Sequence, residues 1–242
     1  MGLTKERRNE VVISLLPRIR KIAANIYKHL PEGSVDFDDL VQEGVLGVIR
    51  ALSRLKKDSF APDGKLSAEA TSFLLIRAKG AIYDFLRSLD FGSKKVRSKE
   101  KKLEEIKNSL RERLKREPTD EEVAEFLGID LEELYRLEEK ISFSYFLSLE
   151  EIFNENFKGG YENFVTSPSN VEREVEKREL IGKLTEALKT LNDKEVLVLQ
   201  LLFFENLKTQ EVAKVLELST GRVTQIKKSA LKKLAKAMER FL

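Results

Sequence analysis

TQEVAKVLELSTGRVTQIKK, running from Thr209 to Lys228, reads as two short amphipathic helices separated by a tight turn. A helix-turn-helix needs a small residue where its helices cross closely, and apolar residues in both helices that close a miniature core. Val212, Leu216, Leu218, Val223 and Ile226 supply that core, and Ala213 is the crossing residue. Glu217 stands at the turn, where many such motifs place Gly, and Thr209 and Ser219 or Thr220 are expected as helix caps. With the core face assigned, Thr220, Gly221, Arg222, Thr224, Gln225, Lys227 and Lys228 are left for the outside of the second helix. Gln pairs with adenine, Thr reaches bases or a thymine methyl, and Arg and Lys reach guanine or phosphate. Lys232, Lys233, Lys236 and Arg240 continue the series as phosphate ligands. A plain helical hairpin is the alternative at this point, and the basic outer face favours DNA.

Working back toward the amino terminus, Leu184, Leu188, Leu191, Val196, Leu199 and Leu202 complete a helical domain over residues 171–242. Apolar spacing at Val12, Leu15, Leu16, Ile19, Ile22, Ala23 and Ile26 marks a first long helix, expected to bend or break at Pro17. A second helix follows Asp36, and a third runs between Ser67 and Asp90, making a domain of residues 1–93. Thr119 and Glu122 form a capping box after Pro118, and Asp130 starts another helix after Gly128. Residues 94–140 therefore read as a small three-helix unit with little apolar surface. Residues 141–170 show no sustained period and read as an acidic linker, unusual for its aromatics Phe143, Tyr145, Phe146, Phe153, Phe157, Tyr161 and Phe164. The fold expected is all-α: three small helical domains joined by linkers, the last holding the helix-turn-helix.

Composition removes most enzyme chemistry. The 242 residues contain no Cys and one His, His29, so a thiol nucleophile, a Cys-ligated zinc and a multi-His metal site are all excluded within one chain. Scattered carboxylates such as Asp84 and Asp90 do not share a helix face, so no catalytic residue, metal or cofactor is assigned. No apolar run reaches the roughly 20 residues of a membrane helix, and a cytoplasmic protein is expected. Net charge is +3, but its distribution is uneven. Residues 94–117 carry +6, residues 118–179 carry −11 and residues 220–242 carry +6. That count motivates one expectation: the acidic middle holds the basic tail in a compact state unable to bind DNA.

The order of four segments is more specific than any one of them. DDLVQEGVLGVIRAL (Asp38 to Leu52), FLLIRAKGAIYDFLRSLDF (Phe73 to Phe91), EPTDEEVAEFLGID (Glu117 to Asp130) and the run from Leu191 to Leu234 resemble a bacterial sigma-70 family initiation factor. The run Lys79 to Ser88 with Asp90 looks most like the flagellar and motility class. That resemblance implies a promoter-specificity subunit, with core RNA polymerase (β′ clamp and β flap), promoter DNA and an anti-sigma factor as partners. It implies that Asp39, Gln42, Glu43, Val45 and Ile49 contact the β′ clamp. It places Phe73, Arg77, Lys79, Asp84, Arg87, Lys94 and Arg97 at the minus-ten element, with Phe73 as a platform for an unpaired base. It assigns Thr220, Arg222, Thr224, Gln225, Lys227 and Lys228 to the minus-thirty-five element. Housekeeping members of the family carry Arg-Glu where Thr220-Gly221 stand, so the upstream sequence read is expected to differ. A stand-alone DNA-binding regulator is the competing class, distinguished by whether residues 1–93 bind core polymerase.

Overall fold

The computed structural model describes residues 4–31, 33–55, 59–60, 64–91, 94–156 and 171–239. Among them the chain is helical, apart from turns and one antiparallel bridge between Phe60 and Leu66. Contacts divide it into two compact units: Met1–Lys28, Gly33–Leu86 and Glu150–Thr185 form the first, and His29–Glu32, Arg87–Leu149 and Glu186–Leu242 the second. The middle segment and the helix-turn-helix segment, expected as separate domains, thus share one unit.

In the first unit, α1 (Lys5–Tyr27), α2 (Phe37–Leu52) and α3 (Ala68–Leu86) surround a core that includes Leu15, Ile19, Val48, Leu52, Phe73 and Leu74. Thr4 caps α1 by accepting the Arg7 N–H at 3.3 Å. The helix runs unbroken through Pro17. Proline offers no N–H to the carbonyl four residues earlier, and Ile13, at that place, is exposed, so solvent can satisfy the freed group. Two glycines set the approach of α2. A β-carbon on Gly44 would lie 2.7 Å from Ile19 Cγ2, and one on Gly47 would lie 2.6 Å from the Arg77 carbonyl oxygen. No larger residue fits at either crossing without moving a neighbour.

The second unit takes in a π-helical turn, Arg87–Phe91, then α4 (Lys94–Leu114), α5 (Asp120–Leu127) and, as far as Leu149, α6 (Leu131–Asn156). The capping box forms as expected: Thr119 accepts the Glu122 N–H, and the Glu122 carboxylate accepts the Thr119 N–H at 2.8 Å. A hydrogen bond from Arg116 and that backbone bond lower the Glu122 pKa to about 2. Gly128 ends α5 in the left-handed conformation, at φ 69°. Residues 141–156, read from sequence as the start of a linker, instead continue α6. Ile141, Phe143, Leu147, Leu149 and Ile152 are all buried there. A helix covered on several faces loses the one-sided spacing by which helices are recognised.

After α7 (Val171–Leu188) come α8 (Asp193–Leu199), a π-helical turn (Gln200–Phe204), α9 (Thr209–Val215) and α10 (Thr220–Glu239). Val212, Ala213, Val223 and Ile226 close the helix-turn-helix core with Val198 and Leu202, and Leu216 and Leu218 pack against it. Glu217 makes the turn with φ 53°, doing what Gly does elsewhere. Ser219 caps α10 through the Arg222 N–H at 3.2 Å. Thr209 is the first residue of α9 rather than its cap; the Glu211 carboxylate serves that end by accepting the Lys208 N–H at 2.7 Å. Of the expected linker, Phe157, Tyr161 and Phe164 lie outside the described residues, as does Arg240.

Candidate nucleic-acid interface

The second helix of the motif, α10, leaves its own core with the predicted polar residues on the opposite side, but that side is not open to solvent. Thr224 is 0% exposed, Lys227 2% and Lys228 8%. Gly221 is buried, Thr220 and Gln225 are half-buried, and Arg222 alone among the predicted upstream-reading residues is exposed. The expectation of a solvent-facing basic surface is therefore corrected. The face packs on α5 and α6 in the same unit.

The contacts are specific. A β-carbon on Gly221 would overlap the ring of Tyr135 on α6, so glycine is what lets the start of α10 seat there. Gln225 donates from Nε2 to Asp120 Oδ1 at 2.8 Å, and the Tyr135 hydroxyl donates to Asp120 Oδ2 at 3.3 Å. Lys228 Nζ lies 3.0 Å from Glu138 Oε1, and Lys107 Nζ from α4 lies 2.8 Å from the same oxygen. Lys232 meets Glu100 at 2.8 Å, and Glu100 also accepts the Tyr145 hydroxyl. Lys227 donates to the His29 carbonyl at 3.5 Å.

Electrostatics follow from burial. Burial lowers the Lys227 pKa, opposed by nearby Glu139. At Glu138 burial works to raise the pKa, but the attraction of Lys228 and Lys107 outweighs it and holds the carboxyl below its ordinary value. Burial, then the hydrogen bond to Glu100, pushes the Tyr145 hydroxyl up. Aromatic rings continue the interface. Phe146 of α6 stacks on Phe203 at 5.3 Å between centroids, and His29 lies 4.6 Å from Phe203 on a tilted ring. Phe143 meets Phe91 edge-on at 5.5 Å. Phe143, Tyr145 and Phe146, read as an oddity of a linker, are thus packing residues of α6.

The expected pairing of the acidic middle with the basic tail can be followed residue by residue. Lys228 does pair with a carboxylate of the acidic middle, Glu138, but the partner of Lys232 is Glu100, inside the segment counted as basic. Lys233 pairs at 2.8 Å with Glu195 of its own domain. Segment sums cannot resolve individual pairs.

In the first unit, Asp39, Gln42 and Ile49 lie exposed on α2, with Leu46 beside them. Ile49 is 46% exposed and Leu46 40%, an apolar pair between polar neighbours. Sequence reading missed Leu46, although its spacing to Asp39, Gln42 and Ile49 puts it on their face. Glu43 is half-buried, and Val45 packs against the core. Phe73 is buried, at 4% exposure, with the Arg77 guanidinium 5.4 Å from its ring centre. Its assignment as a base-stacking platform is corrected: the ring faces the α1–α3 core and presents no free face. Lys79 lies over Tyr83 at 5.3 Å and 3.3 Å from Glu150. Asp84 is exposed on α3. In the second unit Arg87 is half-buried; Arg97 is exposed and lines a groove of about 360 Å³ with Tyr145, Lys232 and Lys236. The Lys94 side chain lies outside the described residues. Among those residues, no group of three or more acidic or His side chains could hold a metal ion, and no helix is long and apolar enough to cross a membrane.

Comparison with known proteins matches these elements in order. Family models for sigma-70 region 2, region 3 and region 4 match residues 11–91, 99–160 and 187–236. The RNA polymerase sigma-D factor of Bacillus subtilis (strain 168) is 32% identical over 230 residues, covering 94% of this chain and 87% of that protein. The RNA polymerase sigma factor FliA of Escherichia coli (strain K12) is 31% identical over 222 residues, covering 90% and 89%. Among solved structures, a cocrystal structure of the flagellar sigma/anti-sigma complex Sigma-28/FlgM aligns with a TM-score of 0.77 at 48% identity, covering 96% of this chain and 95% of that one. With its helix-turn-helix at region 4 and relatives of the flagellar class along nearly its whole length, the chain belongs to the sigma-70 family of RNA polymerase sigma factors, in the flagellar class.

Proposed function

We propose that this sigma factor reads the upstream promoter element with the face of α10 that carries Thr220, Arg222, Thr224, Gln225, Lys227 and Lys228, and that the free chain keeps this face shut. One observation supports the reading above the others: Thr224, Lys227 and Lys228 are buried against the middle helices. Burying a lysine is costly unless its charge is paired, and a DNA phosphate is the competing partner for both lysines once the face opens. Core polymerase separates the middle helices from α10, and the helix then enters the major groove.

In the division of labour we propose, residues 1–93 bind core polymerase and open the minus-ten element. Residues 94–140 contact DNA just upstream of it, residues 141–170 connect, and residues 171–242 read minus-thirty-five and meet the β flap. Asp39, Gln42, Leu46 and Ile49 give α2 the mixed polar and apolar face that suits the β′ clamp. Arg77, Lys79, Asp84, Arg87, Lys94 and Arg97 are left for the minus-ten region. The chain performs no covalent chemistry itself and acts in the cytoplasm, where polymerase and DNA are. An anti-sigma factor of the kind named in the Sigma-28/FlgM complex is the proposed inhibitor.

Transcription in vitro tests the reading, using core polymerase stripped of initiation factors, this chain and a set of promoter fragments. Specific initiation at flagellar promoters, with only weak DNA binding by the chain alone, is the expected result. Tight promoter binding by the free chain, with no binding to core, would replace the reading with a stand-alone regulator.

A further inference from the structure

Lys228 and Lys107 approach one and the same oxygen of Glu138, a carboxylate with 0% exposure. This arrangement is unusual in a way that bears on opening. A buried carboxylate held by one lysine resists separation, because removing the partner strands a charge in a poor solvent. A second lysine changes that balance. Lys107 belongs to α4, packed in the same Val96, Leu103 and Leu110 cluster as the α6 residues Leu134 and Ile141, so it stays with Glu138 when α10 leaves. Attraction between Lys228 and an already neutralised pair is weak, since the Lys107 ammonium repels it from close range.

We infer that Glu138 stands in for a DNA phosphate in the closed chain, and that Lys107 is its resident counter-ion, set there to make Lys228 exchangeable. The inference rests on the reading of α10 as the promoter helix. The neighbouring contacts follow the same logic. Gln225 spends on the Asp120 carboxylate the amide that would read a base, and Lys232 spends on Glu100 the charge that would meet phosphate. The Glu138 Oε2 atom, also buried, has no hydrogen-bond partner among the described residues, and Lys227 makes a long contact, 3.5 Å, to the His29 carbonyl. Closure is therefore specific in geometry but weakly held in energy, which is what a reversible mask requires.

Because the chain lacks Cys, a label pair is easily placed at the exposed positions Arg113 and Lys214, both on the second unit, as R113C and K214C. The distance between labels is read in the full free chain, and binding to a fluorescent duplex spanning a flagellar promoter is read in parallel. Glu138→Gln keeps shape and removes the charge; the labels should separate and duplex affinity should rise about tenfold. Lys107→Met should do the opposite, leaving Glu138 to Lys228 alone, tightening closure and lowering duplex affinity. Opening in both variants would overturn the inference, because it would mean that any change here merely loosens packing. No change in either would overturn it as well. Should E138Q lose helical circular dichroism, Lys107→Met decides alone: tightening supports the inference and opening refutes it. If E138Q opens the labels without raising duplex affinity, Glu138 holds the closed state but the promoter-helix reading fails, and with it the inference that Glu138 stands in for a phosphate.

Discussion

Gly221 sits against the ring of Tyr135 with no space between them for a β-carbon. Gly221→Ala should therefore weaken closure by about 1–3 kcal/mol, the usual range for overpacking. Promoter-duplex affinity of the free variant is the readout, and it should rise, while transcription with core polymerase should be retained.

The close crossing of α2 and α3 gives a prediction with no bearing on DNA. Gly47→Ala would bring a β-carbon to 2.6 Å from the Arg77 carbonyl, which is backbone and does not yield cheaply. A loss of about 1–3 kcal/mol is expected in denaturant unfolding followed by circular dichroism.

Acid should loosen the second unit. Glu138 and Glu195 both have pKa values held below the ordinary carboxylate value, despite burial that works to raise them, by Lys228 and Lys107 at the first and by Lys233, the Asn192 N–H and Ser229 at the second. A carboxylate with a depressed folded-state pKa contributes stability that is fully present above its unfolded value, roughly 4.3, and is lost as pH falls through the folded value. Thermal midpoints should thus be level near neutrality and fall below about pH 4.5. Glu195→Gln should flatten that fall.

On α2, Leu46→Ala with Ile49→Ala removes apolar surface that is already exposed. Folding stability should change by less than about 0.5 kcal/mol, the range of ordinary surface substitutions. Affinity for core polymerase should drop about tenfold or more if this face docks on the clamp, as a buried apolar anchor would. Pull-down or fluorescence titration with core polymerase checks both halves.

What was legible in the sequence was local. The helix-turn-helix core from Val212 to Ile226 could be read because its apolar residues are neighbours on short helices, and the Thr119 capping box because its partners are adjacent in the chain. The helix from Ile141 to Asn156 was not legible, since residues on several of its faces are buried and the amphipathic period is masked. Phe73 shows the limit of analogy: a motif position says which residue matches, not which way its ring faces. Lys227 and Lys228 show the limit of hydropathy. A lysine is read as solvated unless a partner is known, and Glu138 and the His29 carbonyl are far away in the chain. Gly221 was the available signal. A glycine near the start of the recognition helix marks a close approach that DNA does not require.

Lysine acylation read by mass spectrometry addresses the closed face most directly. Lys214 is exposed in the same unit and serves as the internal reference. In the free chain Lys227 and Lys228 should react far more slowly than Lys214, and adding core polymerase without DNA should bring all three to comparable rates. Rapid reaction of Lys227 and Lys228 in the free chain would contradict the account, because it would mean the promoter-reading face of α10 is already open before polymerase arrives.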